Sequence, residues 1–123
     1  MLRRNEPLYQ QIVKIASSFG VFDCIPCSRA IKQFLVERGI PGKQIELDTG
    51  SQDSIYGQIY DDSIGELIAT TGHHEGIAVN IDGEEIVFDN LHPEGLLKTI
   101  WRQNLYSPIL ETGRDFQGTE TNF

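Results

Sequence analysis

The dipeptide Asp82-Gly83, set between HHEGIAVNI and EEIVFDN, is the feature that most limits how this chain can fold. Two alternating runs around Asp-Gly are the strongest short-range signal for a hairpin with a tight two-residue turn. That turn places Ile81 opposite Glu84, Val79 opposite Ile86, Ile77 opposite Phe88 and Gly76 opposite Asp89. Side chains alternate along a strand, so the ribbon has two faces. One carries Ile77, Val79, Ile81, Ile86 and Phe88 and reads as a core face. The other carries His74, Gly76, Ala78, Val87 and Asp89.

The second face is where chemistry is expected. His74 and Asp89 are diagonal neighbours on it, within reach of each other. Gly76 and Ala78 beside them leave a shelf on which another element can come close. A carboxylate able to hold an imidazole is two thirds of a nucleophilic triad, and the third member would be a Cys or Ser delivered by whatever packs on the shelf. The competing reading is that His74 caps a strand and Asp89 opens a turn.

The 123 residues form one expected domain, 1–123, large enough for a core of its own. A net charge of -8 argues against nucleic acid as a partner, because phosphates need a basic surface. No apolar run is long enough for a membrane span, and the Arg3-Arg4 start has no apolar stretch behind it to make a signal peptide. Two cysteines three positions apart are no disulfide framework, so the reading is of a chain folded in a reducing compartment such as the cytoplasm.

Along the chain, Leu8, Ile12, Ile15 and Phe19 recur at helical spacing, giving a helix over 6–18 that ends before Gly20. A second helix has Pro26 in its first turn, an inward stripe of Cys27, Ala30, Ile31, Phe34 and Leu35, and a stop at Gly39. Residues 44–49 alternate as a strand, 50–63 read as a loop, and 66–70 as a short strand. Leu96, Leu97, Ile100, Trp101 and Leu105 mark a third helix, with Trp101 as a core anchor. The tail reads as an edge strand or a loose end.

Cys24 and Cys27 thus stand at the mouth of the second helix, where unpaired backbone N–H groups favour an anion such as a thiolate. Cys24-Ile25-Pro26-Cys27 also has the C-x-P-C form of thiol-disulfide redox proteins, although that fold wants a strand before the first Cys. Zinc is a further alternative with two Cys and two His, but adjacent His73 and His74 point to opposite faces and cannot easily meet one ion. No metal and no cofactor is expected. A non-catalytic binding domain is the remaining alternative.

The order of a Cys-bearing helix, then a strand opened by His, then a strand ended by Asp resembles the papain-like fold. More narrowly, FDCIPCSRAIKQFLVERGIPG followed by GHHEGIAV and VFDN resembles the second papain-fold toxin family of bacterial polymorphic toxin systems, frequent in cyanobacteria. The resemblance spans about Phe22 to Leu105. It implies an α+β fold in which the Cys helix packs on a small antiparallel sheet. It also implies a cysteine hydrolase acting on a protein amide, as glutamine deamidase or peptidase. Carried over residue by residue, Cys24 matches the nucleophile, His74 the general base and Asp89 the group orienting the imidazole. Cys27 is the alternate nucleophile, and His73 and Asn90 are the neighbours that stand behind His74 and Asp89. Asp23 stands where relatives often have Asn, which turns the expected oxyanion donors toward backbone N–H groups near Pro26-Cys27. The resemblance further implies a protein substrate, a neutralising immunity protein and delivery as an effector into a target cell.

Overall fold

The computed structural model describes residues 2–123. In chain order the helices are α1 (Pro7–Ala16), α2 (Cys24–Glu37) and α3 (Lys98–Gln103). The strands are β1 (Lys43–Asp48), β2 (Ile59–Asp61), β3 (Glu66–Ala69), β4 (His73–Ile81), β5 (Glu84–Phe88), β6 (Leu96–Leu97), β7 (Leu105–Tyr106) and β8 (Gln117–Asn122). Five strands pair in the order β6-β5-β4-β1-β8, and three in the order β3-β2-β7; every pairing is antiparallel.

The hairpin forms in the expected register, with Ile77 opposite Phe88, Val79 opposite Ile86 and Ile81 opposite Glu84. Asp82 and Gly83 both take positive φ, 53° and 86°, which is the backbone a type I′ turn requires and which Asp and Gly tolerate best. β4 lies in the middle of its sheet, bonded to β5 on one side and β1 on the other.

Each face of this sheet carries its own core. On the Ile77–Val79–Ile81 face, α1 packs through Tyr9, Ile12 and Ala16, and α2 through Cys27, Ile31 and Leu35. On the opposite face, Ala78 and Val87 meet Ile45, Leu47, Trp101 and Phe116, together with Ile59 and Ile68 from the small sheet. Each fully buried Ile or Leu in these cores contributes roughly 1.5–3 kcal/mol, so the two faces together hold β4 firmly in register.

α2 begins at Cys24, two residues before Pro26, which stands in the first turn as expected. Two local expectations change. The 50–63 segment contains β2, whose Ile59 and Asp61 are both fully buried. The third helix is short because Leu96 and Leu97 are taken by pairing with Val87 and Ile86. Of the two forms expected of the tail it takes the edge strand, β8, bonded along the whole of β1. The shelf beside Gly76 is also filled differently. Trp101 of α3 and Val87 cover it, and a Cβ on Gly76 would stand 2.8 Å from Val87 Cγ1 and 3.3 Å from Trp101 Cζ2. The cysteine helix lies across the other face and reaches His74 only with its first turn.

Candidate active site

Asp89 follows β5 directly, and its fully buried carboxylate accepts four hydrogen bonds. The backbone N–H groups of Leu91 and His92 donate to Oδ1 at 2.9 and 2.7 Å. Trp101 Nε1–H donates to Oδ2 at 2.7 Å, and His74 Nε2 lies 3.0 Å from the same oxygen. Burial works against the charged form, but the bonds from His74 and Trp101 outweigh it and hold the Asp89 pKa at about 2. The carboxylate is therefore ionised at neutral pH.

His74 is fully buried and stacks on the Trp101 indole, with ring centroids 5.8 Å apart and planes 29° from parallel. Nε2 is committed to Asp89, which leaves Nδ1 as the free nitrogen, buried and with no hydrogen-bond partner. Burial disfavours the imidazolium, yet Asp89 and the neighbouring Cys24 thiol overcome this and raise the pKa to about 9. Cys24, His74 and Asp89 are thus brought together.

Cys24 is the first residue of α2 and is nearly buried, yet it lines a cleft of about 170 Å³ with Phe22, Ile25, Ala69, Thr71 and His73. The segment leading into it is a loop following a helix, not the strand that a thioredoxin-like arrangement needs. Phe22, two residues earlier, has φ 73°, a left-handed backbone that a bulky residue adopts only under constraint. Asn90 supplies part of that constraint, since its Nδ2 donates to the Gly20 carbonyl at 2.8 Å. The Asp23 carboxylate accepts from Gly20 N–H at 3.1 Å.

The donors at the helix mouth differ from those expected. Pro26 has no N–H, and the Cys27 N–H is taken by the Asp23 carbonyl at 3.1 Å. The Cys24 and Ile25 N–H groups have no acceptor one turn back in the helix.

Cys27 lies one turn on, wholly inside the core with Ile31 and Ile77. Burial, reinforced by Asp89, Cys24 and Asp23, pushes its thiol up to about 12, so it stays protonated and is a poor nucleophile. His73 turns away from His74: Nδ1 lies 3.1 Å from Asp48 Oδ1 and Nε2 lies 3.5 Å from Glu75 Oε2. The Glu75 bond, against the opposing effect of burial and with help from Asp48, raises its pKa to about 9. His73 and Asn90 therefore stand outside the imidazole–carboxylate pair. Among the described residues, Glu46, His73 and Glu75 bring ligand-type atoms within 4.8 Å of one another, but His73 is engaged there as an ion-pair partner.

Three contributors escape sequence reading. The Trp101 indole N–H is a donor as well as an anchor, and the Leu91 and His92 backbone groups form the cradle of Asp89. Behind them His92 Nε2 meets the buried Asp61 carboxylate at 2.6 Å, pinning that turn to β2. The signal for the cradle was available in Asp89-Asn90-Leu91, since an Asp side chain often bonds the N–H two residues on.

Among the described residues, no helix is long and apolar enough to cross a membrane. No curated protein and no solved structure matches the chain. The family model described as papain fold toxin 2 matches residues 7–106, an interval that contains α1, the cleft, the buried His74–Asp89 pair and Trp101. With most of its length covered by that match, the chain belongs to the papain fold toxin 2 family.

Proposed function

We propose that the protein is a cysteine hydrolase of protein amides, with Cys24 as nucleophile, His74 as general base and acid, and Asp89 as the orienting carboxylate. The observation that carries this reading is the division of the His74 ring: Nε2 is tied to an ionised carboxylate, and Nδ1 is left free with the Cys24 thiol beside the imidazole. That arrangement fixes the orientation of the ring and stabilises the imidazolium that holds the thiol's proton.

In the first half-reaction the proton shared between Cys24 and His74 rests on Nδ1, and Sγ attacks the amide carbon. The Cys24 and Ile25 N–H groups face the oxyanion, the C–N bond breaks, and the departing amine or ammonia takes the proton from His74. Water then attacks the thioester and gives a proton to His74. The resulting C–S cleavage leaves a carboxylic acid and restores the thiol. A glutamine side chain yields ammonia by this route, and a peptide bond yields a new amino terminus. Membership of a toxin family supports a protein in a target cell as substrate, and an immunity protein as the partner that blocks the cleft.

The test is to express wild type, Cys24→Ala and His74→Ala in a bacterial host and map Gln-to-Glu conversions and new amino termini in the host proteins by mass spectrometry. Modifications made by wild type and lost in both variants support the scheme. Their persistence in either variant would rule out that residue's role.

A further inference from the structure

Beyond the Cys24 cleft lies a second and wider cavity of about 450 Å³, lined by Asp48, Ser51, Gln52, Thr71, Gly72 and Gln117. Thr71 lines both cavities, and the His73–Asp48 hydrogen bond joins a wall of the first to a wall of the second. The dividing turn is held by close backbone approach. Thr49 N–H donates to the Gly72 carbonyl at 2.8 Å, and Gly72 N–H donates to the Gly57 carbonyl at 2.7 Å. With φ 75° at Gly72, a Cβ there would stand 2.1 Å from the Ser51 carbonyl oxygen. The pocket is therefore built into the fold rather than left by a loose loop.

The two cavities differ in chemistry. The first is largely apolar, through Phe22, Ile25, Ile68 and Ala69. The second is polar, and Asp48 is its one charged lining residue. Among the described residues, no Lys or Arg lines either cavity. His73 is shared between Asp48 and Glu75, with Glu46 close to both His73 and Glu75. Arg29 of α2 acts on the buried Glu75 and offsets part of that charge behind the wall. Asp48, with a half-exposed side chain, is the charge presented to the pocket.

We propose that this second cavity is a specificity pocket for a cationic side chain, so that the substrate is a polypeptide segment in which a Lys or Arg neighbours the residue attacked by Cys24. The proposal rests on the hydrolase reading for its direction along the groove, but binding at Asp48 does not require a working nucleophile. A neutral side chain fills the apolar cleft while the ammonium or guanidinium of its neighbour pairs with the free face of the Asp48 carboxylate.

The experiment uses the full chain carrying Cys24→Ala, so that no turnover occurs, with two N-acetylated peptide amides, Gly-Gln-Arg-Gly and Gly-Gln-Glu-Gly, titrated by NMR. The Arg peptide is expected to move the amide signals of Thr71, Gly72 and Gln117 and to bind at least about fivefold more tightly than the Glu peptide, the scale of one partly exposed charge pair. Asp48→Asn should remove the preference. Gln117→Lys, which adds a cation at the pocket rim without touching His73, should remove it as well. Equal affinities, no detectable binding of the Arg peptide, or a preference that survives both substitutions would overturn the proposal. Failure of the nucleophile reading would show instead in the Cys24→Ala and His74→Ala host-protein comparison.

Discussion

The indole N–H of Trp101 donates at 2.7 Å to Oδ2 of Asp89, the same oxygen that His74 Nε2 approaches at 3.0 Å. One side chain therefore stacks on the imidazole and also restrains the carboxylate that orients it. Trp101→Phe keeps an aromatic ring but removes the donor and part of the buried volume. We expect it to lower stability by about 2–4 kcal/mol, read as a lower urea midpoint at unchanged slope. An unchanged midpoint would show that the indole N–H contributes nothing to the fold.

The pair should also shape stability against pH. The folded Asp89 pKa of about 2 lies below its ordinary 3.8, so its carboxylate stabilises the fold above about pH 4, an effect lost as pH falls toward 2. The folded His74 value of about 9 lies above 6.5, so its protonation stabilises the fold below 6.5, an effect lost as pH rises through 9. His73 acts in the same direction as His74. The urea midpoint is expected to fall between pH 6.5 and 9.5 in wild type and to fall less in Asp89→Asn. A wild-type midpoint that climbs over that interval would contradict the assigned shifts.

The two cysteines should separate cleanly in their reaction with iodoacetamide. Cys24 opens onto the cleft, whereas Cys27 is sealed in the core with its thiol pushed up to about 12. In the native protein at neutral pH, peptide mapping should find the adduct on Cys24. Cys27→Ala should keep that adduct and cost about 1 kcal/mol of stability for the lost sulfur, while Cys24→Ala should abolish it. Prominent native labelling of Cys27 would reverse the assignment.

Gly76 offers a steric test of the hairpin's less apolar face. A methyl group there meets Val87 Cγ1 at 2.8 Å and the Phe88 carbonyl oxygen at 3.0 Å. Gly76→Ala should destabilise by roughly 1–3 kcal/mol through overpacking and slow Cys24-dependent chemistry by displacing Trp101. A calorimetric Tm equal to that of wild type would mean that the sheet yields more easily than its double-sided burial suggests.

The hairpin was legible because Asp82-Gly83 admits few backbones and the flanking alternation admits one register. His74 and Asp89 fell on one face for the same reason. The element that covers that face was not legible, because apolar periodicity marks Trp101 as buried without saying against what. Nor does it mark an indole N–H as the partner of a carboxylate. β2 was hidden because three residues in a polar stretch carry too little pattern, although Asp61 is buried there against His92. The third helix was read too long because Leu96 and Leu97 fit a helical stripe equally well as a short strand. Cys24 and Cys27 could be placed at a helix mouth, but only packing against Ile31 and Ile77 distinguishes the sealed thiol from the open one.

The central place of β4 has a mechanical consequence. His74 is paired with Leu47 of β1, and from Ile77 onward the same strand is also paired with β5, so moving the imidazole means disturbing a strand held on both edges. The sulfur arrives from the opposite quarter, behind a short run pinned at Gly20 and bent at Phe22. Whatever adjustment brings Cys24 toward or away from His74 comes most easily from that run, so a molecule pressing on residues 20–23 would shift the sulfur without touching the imidazole.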